Sequence, residues 1–247
     1  MEDFWTLVAI GFAAQMIDGA LGMAFGLVST SVMLSLGMPP ANASALVHTA
    51  EIFTTGASGA SHVAAGNLDR KLFWRLLPFG VGGGVLGATV LSSIDGDLIK
   101  PFVVAYLAVV GCFVLYRVVV PPKRREDLPR GIPVLGAAGG FLDASGGGGW
   151  GPIVTSTLIG NGVAPRPVIG TVNITEFFVT LSISATFLFH LGWQGFEGAL
   201  GLIIGGVAAA PLAGLTVRFA PTRVLAAFVG VLVIILASVD GYKLITG

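Results

Sequence analysis

Two glutamates, Glu51 and Glu176, lie well inside long apolar stretches, where an ionisable group is costly and usually faces the interior of a helix bundle. His48, Glu51, Thr55, Ser58 and His62 recur at intervals of three or four, which places them on one helix face. Asn173, Glu176, Thr180 and Ser184 repeat that register in the second half of the chain. Two such stripes facing each other would line a pathway. Burial penalises the charged form of a carboxyl group, so either glutamate could exchange a proton near neutral pH, with His48 as a third candidate for coupling or gating. A neutral, hydrogen-bonded structural acid is the other reading of each glutamate. His62 and His190 fall near the ends of their stretches, where an interfacial histidine fits better than a relay.

A second pair of acids, Asp18 and Asp143, interrupts two further apolar stretches, and each is followed by glycines. Behind Asp143 stand Gly147, Gly148, Gly149, Trp150 and Gly151, and behind Asp18 stand Gly22 and Gly26. Consecutive glycines cost about 1 kcal/mol each against alanine in a helix, and unpaired backbone in hydrocarbon costs more. Such backbone persists where protein or a watery cavity covers it. Glycines also let a ligand reach main-chain amides, and the half-helix that follows presents the positive end of its dipole. A small anion would therefore be held by amides, hydroxyls and helix N-termini, with Asn173 and nearby threonines as added donors. No Lys or Arg lies deep in any apolar stretch to form a salt bridge instead. Tight helix packing is the alternative reading of the glycines, which the recurrence of the break with an acid in both halves disfavours, and Trp150 either covers a ligand or fills volume. Asp18 and Asp143 read as N-caps of the second half-helices, with a protonation role as the alternative.

Both pairs belong to an internal repeat. At an offset of 125, Asp18 aligns with Asp143, Gly22 with Gly147, Gly26 with Gly151, Gly37 with Gly162, Pro40 with Pro165 and Glu51 with Glu176. At 126, Gly66 meets Gly192, Gly80 meets Gly206 and Phe102 meets Phe228. With 54% apolar and 11% charged residues and a mean hydropathy of +0.90, the chain is a polytopic membrane protein. A duplicated chain of this kind is the mark of a transporter. Net charge is zero and says nothing about partners; no nucleic-acid partner is expected of such a membrane chain, and the acidic residues near Met1 argue against a cleaved signal peptide. The single cysteine, Cys112, excludes an intrachain disulfide and reads as a packing residue. No metal-ligand pattern, no cofactor fingerprint and no soluble catalytic domain is visible.

Eight apolar stretches run roughly from 4 to 36, 40 to 65, 72 to 92, 97 to 120, 131 to 160, 165 to 191, 196 to 219 and 221 to 245. They predict an all-α fold of two repeats, 1–120 and 131–247, joined by a polar linker at 121–130. The first stretch of each half is long for one crossing and breaks at its aspartate, so it is either one broken, tilted span or a re-entrant hairpin. The positive-inside rule chooses how. If both broken stretches turn back as re-entrant hairpins, only Lys100 and Lys243 fall on the face away from the linker, and the other basic residues share the linker face. That predicts a cytoplasmic linker, both termini outside, three full crossings per half, and therefore inverted repeats.

The stretches LDASGGGGWGP from Leu142 and IGTVNITEFF from Ile169, with weaker counterparts MIDGALGMAFG and ALVHTAEIFTTG and the segment GASHVAAGNLD, resemble the TauE/SafE family of sulfite exporters over nearly the whole chain. The resemblance implies a carrier in the bacterial inner membrane that exports sulfite or an organosulfonate, built from inverted repeats and coupled to the proton gradient. The first half departs from the glycine-rich form, with Gly-Met-Ala-Phe-Gly where the second has Gly-Gly-Gly-Trp-Gly. The expected partners are the anion, protons and lipid, with a monomer or a homodimer both compatible with the small-residue helix faces. The rival readings are an uncoupled anion channel and, further off, an intramembrane enzyme, which two near-equal acid stripes disfavour.

Overall fold

A computed structural model describes residues 4–21, 23–120, 128–193, 198–216 and 222–246, which are helical apart from short turns and contain no strand. Helices α1 (Phe4–Leu21) and α2 (Phe25–Ser35) form the first broken stretch, followed by α3 (Pro40–Ala64), α4 (Arg70–Ser93) and α5 (Gly96–Val119). The second half repeats the series as α6 (Ile132–Gly146), α7 (Gly151–Gly160, its first turn a wide π turn), α8 (Pro165–Leu191), α9 (Ala199–Thr216) and α10 (Thr222–Thr246). Most of the linker, 121–127, lies outside the described residues, as does Gly22.

The repeat in sequence is a repeat in turn chemistry. Proline occupies the first turn of both α3 and α8, where its missing amide proton costs nothing. The turns before them close on Gly37 and Gly162 with φ of 96° and 91°, and α3 and α8 end at Gly66 and Gly192 with φ of 72° and 66°. Only glycine adopts such angles without strain. Asp69 caps α4 by accepting from the Lys71 and Leu72 amides, and Asp95 caps α5 by accepting from the Asp97 amide.

The two halves interlock. α1 packs most extensively on α9, and α6 on α4, so the first helix of each half lies against the equivalent helix of the other. Small residues make this possible: a side chain on Gly11 would strike the Leu202 carbonyl, and one on Gly136 would lie 3.0 Å from the Leu76 carbonyl, the corresponding atom. α3 pairs with α8, and α5 with α10. Apolar side chains such as Phe102, Val109 and Ile245 point outward, as they must where lipid is the solvent, and exposed Trp5, Trp74 and Trp193 stand near helix ends as interfacial anchors.

Contacts fix the course of each broken stretch. The end of the bundle where α5 stops and α6 starts is the linker end. α6 leaves that end alongside α4, and α7 returns to it, because Gly160 packs against the Arg117 guanidinium near the end of α5. α1 starts at the opposite end beside Gly201, and α2 returns there, where the Ser35 carbonyl accepts from the Lys243 ammonium of α10 at 3.0 Å. Each stretch is thus a hairpin that enters and leaves on one side.

Among the described residues four helices, Arg70–Ser93, Gly96–Val119, Pro165–Leu191 and Arg223–Thr246, are long and apolar enough to cross a membrane. α3 has the length, at 25 residues, but its polar stripe lowers its hydropathy below theirs.

Candidate functional site

The hairpin tips meet in the middle of the bundle. Asp18 folds back over the break in the first half, its Oδ1 accepting from the amides of Ala24 at 2.6 Å and Phe25 at 3.1 Å. Asp143 does the same in the second, its Oδ1 accepting from the Trp150 amide at 2.9 Å, the position equivalent to Phe25. Each carboxylate thus serves amides at the start of the second arm, which no earlier turn can satisfy. Gly26 touches Gly148 across the junction, close enough that a side chain on Gly26 would sit 2.8 Å from the Gly148 Cα.

A cavity of about 310 Å³ lies against this junction. Its wall includes Asp18, Glu51, Asp143 and Glu176, together with Gln15, Gly26, Gly149, Gly151 and Asn173. On α3 the lining runs from Glu51 through Thr55 and Ser58 to His62, and on α8 it runs from Glu176 back to Ile169. Both series proceed toward the linker end, since the Gly170 region packs on His62 and Asn67. Toward the other end the same two helices are closed by packing, with Ala43 to His48 buried and the His48 ring 6.4 Å from that of Phe187.

The residues singled out from the sequence divide into two groups. Glu51, Glu176, Asp18, Asp143, Asn173, Gly26, Gly149 and Gly151 line the cavity. Gly147, Gly148, Trp150 and His48 lie behind its wall. There Gly147 accepts a hydrogen bond from the Thr30 hydroxyl, Gly148 accepts one from Tyr106 at 3.0 Å, and a side chain on Gly147 would strike Thr30. Trp150 is fully buried against Gly80 and Gly139, with its indole N–H directed at the Val172 carbonyl at 3.4 Å. Gln15 and Tyr106 are not among the residues that the sequence singles out. Gln15 precedes Asp18 by three residues on the same helix face, a spacing that points to it. Tyr106 reaches the second break from α5, and no local pattern announces that.

His48 has a defined protonation requirement. Its Nδ1 lies 2.7 Å from the Ser44 carbonyl, which can only accept, so Nδ1 carries a hydrogen. Its Nε2 faces Asp143 Oδ2 at 3.3 Å. A neutral imidazole with its hydrogen on Nδ1 has only a lone pair there, and so does a carboxylate. The contact is attractive only with a further proton on one of the two partners. Glu51 contrasts with this, since its buried Oε2 has no hydrogen-bond partner among the described residues. The arrangement is thus a small-ligand chamber at two helix N-termini, with four carboxyl groups in its wall.

The TauE family model, described as sulfite exporter TauE/SafE, matches residues 7–239. The chain belongs to the TauE/SafE family. The probable membrane transporter protein YtnM of Bacillus subtilis (strain 168) is 41% identical over 249 residues, covering 95% of this chain and 81% of that protein. No solved structure matches. With its long apolar helices, this TauE/SafE protein is a membrane-embedded transporter.

Proposed function

We propose that this transporter exports a small sulfur-containing anion, sulfite or an organosulfonate, from the cytoplasm across the bacterial inner membrane with coupling to protons. The observation that carries this reading is a shared cavity into which both halves send the same acids, Asp18 with Asp143 and Glu51 with Glu176, at two facing half-helix N-termini. The helix ends and the hydroxyls supply donors for an anion. Protonation of Glu51 and Glu176 removes the charge that would repel it.

The opposite entry of the two hairpins supports an inverted repeat, with 1–120 and 131–247 as its units. Lys100 and Lys243 stand at the end away from the linker, whereas Arg70, Lys71, Arg75, Arg117 and Arg166 stand at the linker end, which supports a cytoplasmic linker. The cavity then faces the cytoplasm. Closure of the opposite side favours alternating access over a continuous channel.

Proteoliposome flux of labelled sulfite, sulfate, taurine, sulfoacetate and chloride, with and without an imposed pH gradient, tests the proposal. Uphill movement of one sulfur anion on the gradient supports it. Downhill movement of many anions, blind to the gradient, replaces it with a channel.

A further inference from the structure

The closed side of the cavity is held by a contact that the repeat does not duplicate. At the offset of 125, His48 corresponds to Asn173 and Asp143 to Asp18. In this structure His48 meets Asp143 at 3.3 Å, but Asn173 donates instead to the Ser58 hydroxyl at 2.8 Å, and Asp18 lines the open cavity. One member of the equivalent pair of contacts is made and the other is not. In a chain whose halves exchange roles between two states, the second state makes the second contact and breaks the first.

The two contacts differ in what they require. An asparagine amide donates to a carboxylate with no added proton. The His48–Asp143 contact needs one, because Nδ1–H is already committed to the Ser44 carbonyl. We infer that the His48–Asp143 pair is a proton site, filled when the side away from the linker closes and emptied when that side opens as Asn173 engages Asp18. This rests on the alternating-access reading above and adds to it the place where one proton is bound.

The surroundings suit the role. The pair is buried, at 0% and 2% side-chain exposure, and Ser44 steadies the ring while its hydroxyl donates to the Ala144 carbonyl at 2.7 Å. The titratable groups that sense Asp143 are Glu51 on the helix of His48, Glu176 on α8 and Tyr106 on α5. Asp143 also forms part of the cavity wall, which gives the held proton an exit toward the linker end. Glu51 and Glu176 stand beside that exit.

Conformation can be read without any substrate. In a Cys112→Ser background, Thr54→Cys places a thiol in the cavity and Ser61→Cys places an exposed reference thiol on the same helix. The rate of labelling by a membrane-impermeant maleimide at Thr54→Cys, divided by that at Ser61→Cys, follows the open fraction and cancels the reagent's own pH dependence. The ratio is expected to fall as pH rises, by up to about tenfold per pH unit in the limit of one linked proton. His48→Asn, which installs the second half's residue, is expected to flatten the profile. Asp143→Asn is expected to do the same by donating an amide proton to Nε2, and it serves if His48→Asn fails to elute as a monodisperse peak. A flat profile in the background protein, or an unchanged slope in a folded variant, overturns the proton site. Neither result depends on the anion carried, so the export reading stands or falls separately in the flux assay.

Discussion

Replacing Gly148 by alanine should damage this protein more than any other one-methyl change at the junction, for two reasons that can be added. Gly148 has φ of 149°, where a residue with a Cβ pays about 1–3 kcal/mol. The new methyl would also lie 2.6 Å from the Leu27 nitrogen and 2.8 Å from the Gly26 Cα. Both are backbone atoms, which cannot turn aside as a side chain can, and overpacking of this kind costs about 1–3 kcal/mol more. The total of about 2–6 kcal/mol corresponds to a fall in melting temperature of roughly 5–20 °C for a chain of this size. Gly82 is the control, an exposed position inside α4 where an added methyl group would meet nothing within 4 Å. Gly82→Ala should raise stability by about 0.5–1 kcal/mol through helix propensity alone. Thermal melts of both variants in detergent, read by size-exclusion chromatography after heating, give the comparison. A Gly148→Ala protein that melts with the parent, or a Gly82→Ala protein that falls as far, would refute the claim that the two hairpin tips meet backbone to backbone.

Three other changes probe the acids and their neighbours. Glu176→Gln should remove the dependence of flux on the pH gradient while the protein still folds, and unchanged flux with unchanged pH dependence would sink its coupling role. Asp143→Ala should cost about 2–4 kcal/mol, since it strips the Trp150 amide and leaves buried His48 without its partner, whereas Asp18→Ala should cost about 1–2 kcal/mol as loss of a cap. Melts of the two alanine variants that coincide would count against the His48 contact. Tyr106→Phe removes one hydrogen bond to the Gly148 carbonyl, worth about 0.5–1.5 kcal/mol, and a melt unchanged within error would show that bond to be unimportant.

Much of the architecture was legible because it is local and written twice. Gly37 and Gly162, Gly66 and Gly192, and Pro40 and Pro165 mark the same turns and helix starts in both halves, and each works through its own backbone angles. The stripe from Glu51 to His62 was legible for the same reason, since periodicity of three and four belongs to one helix. The role of each glycine was not. Gly149 and Gly151 line the cavity, whereas Gly147 and Gly148 next to them are packed against Thr30, Gly26 and Leu27 of the other half. Nothing within the run of glycines separates the two kinds, because the difference lies in what the opposite hairpin brings up against them.

Departures from symmetry also occur where the halves touch. Tyr106, which supports the second break, corresponds at the offset of 126 to Leu232, which has no hydroxyl to offer the first. In the glycine run that this tyrosine and Thr30 crowd, Gly148 and Gly149 correspond to Met23 and Ala24 of the first half. His48 corresponds to Asn173. Two identical halves would give two states of equal energy, related by exchange of the halves, and neither would be favoured at any pH. Unequal residues at the contacts that differ between the states bias that balance, and only where one of the two can hold a proton does the bias vary with pH. A ligand shifts such an equilibrium only by its differential affinity for the two states, and the same holds for a proton. On the proposed alternating-access reading, the repeat would supply two states of similar energy, and unequal residues at the junction would supply the means to drive one into the other.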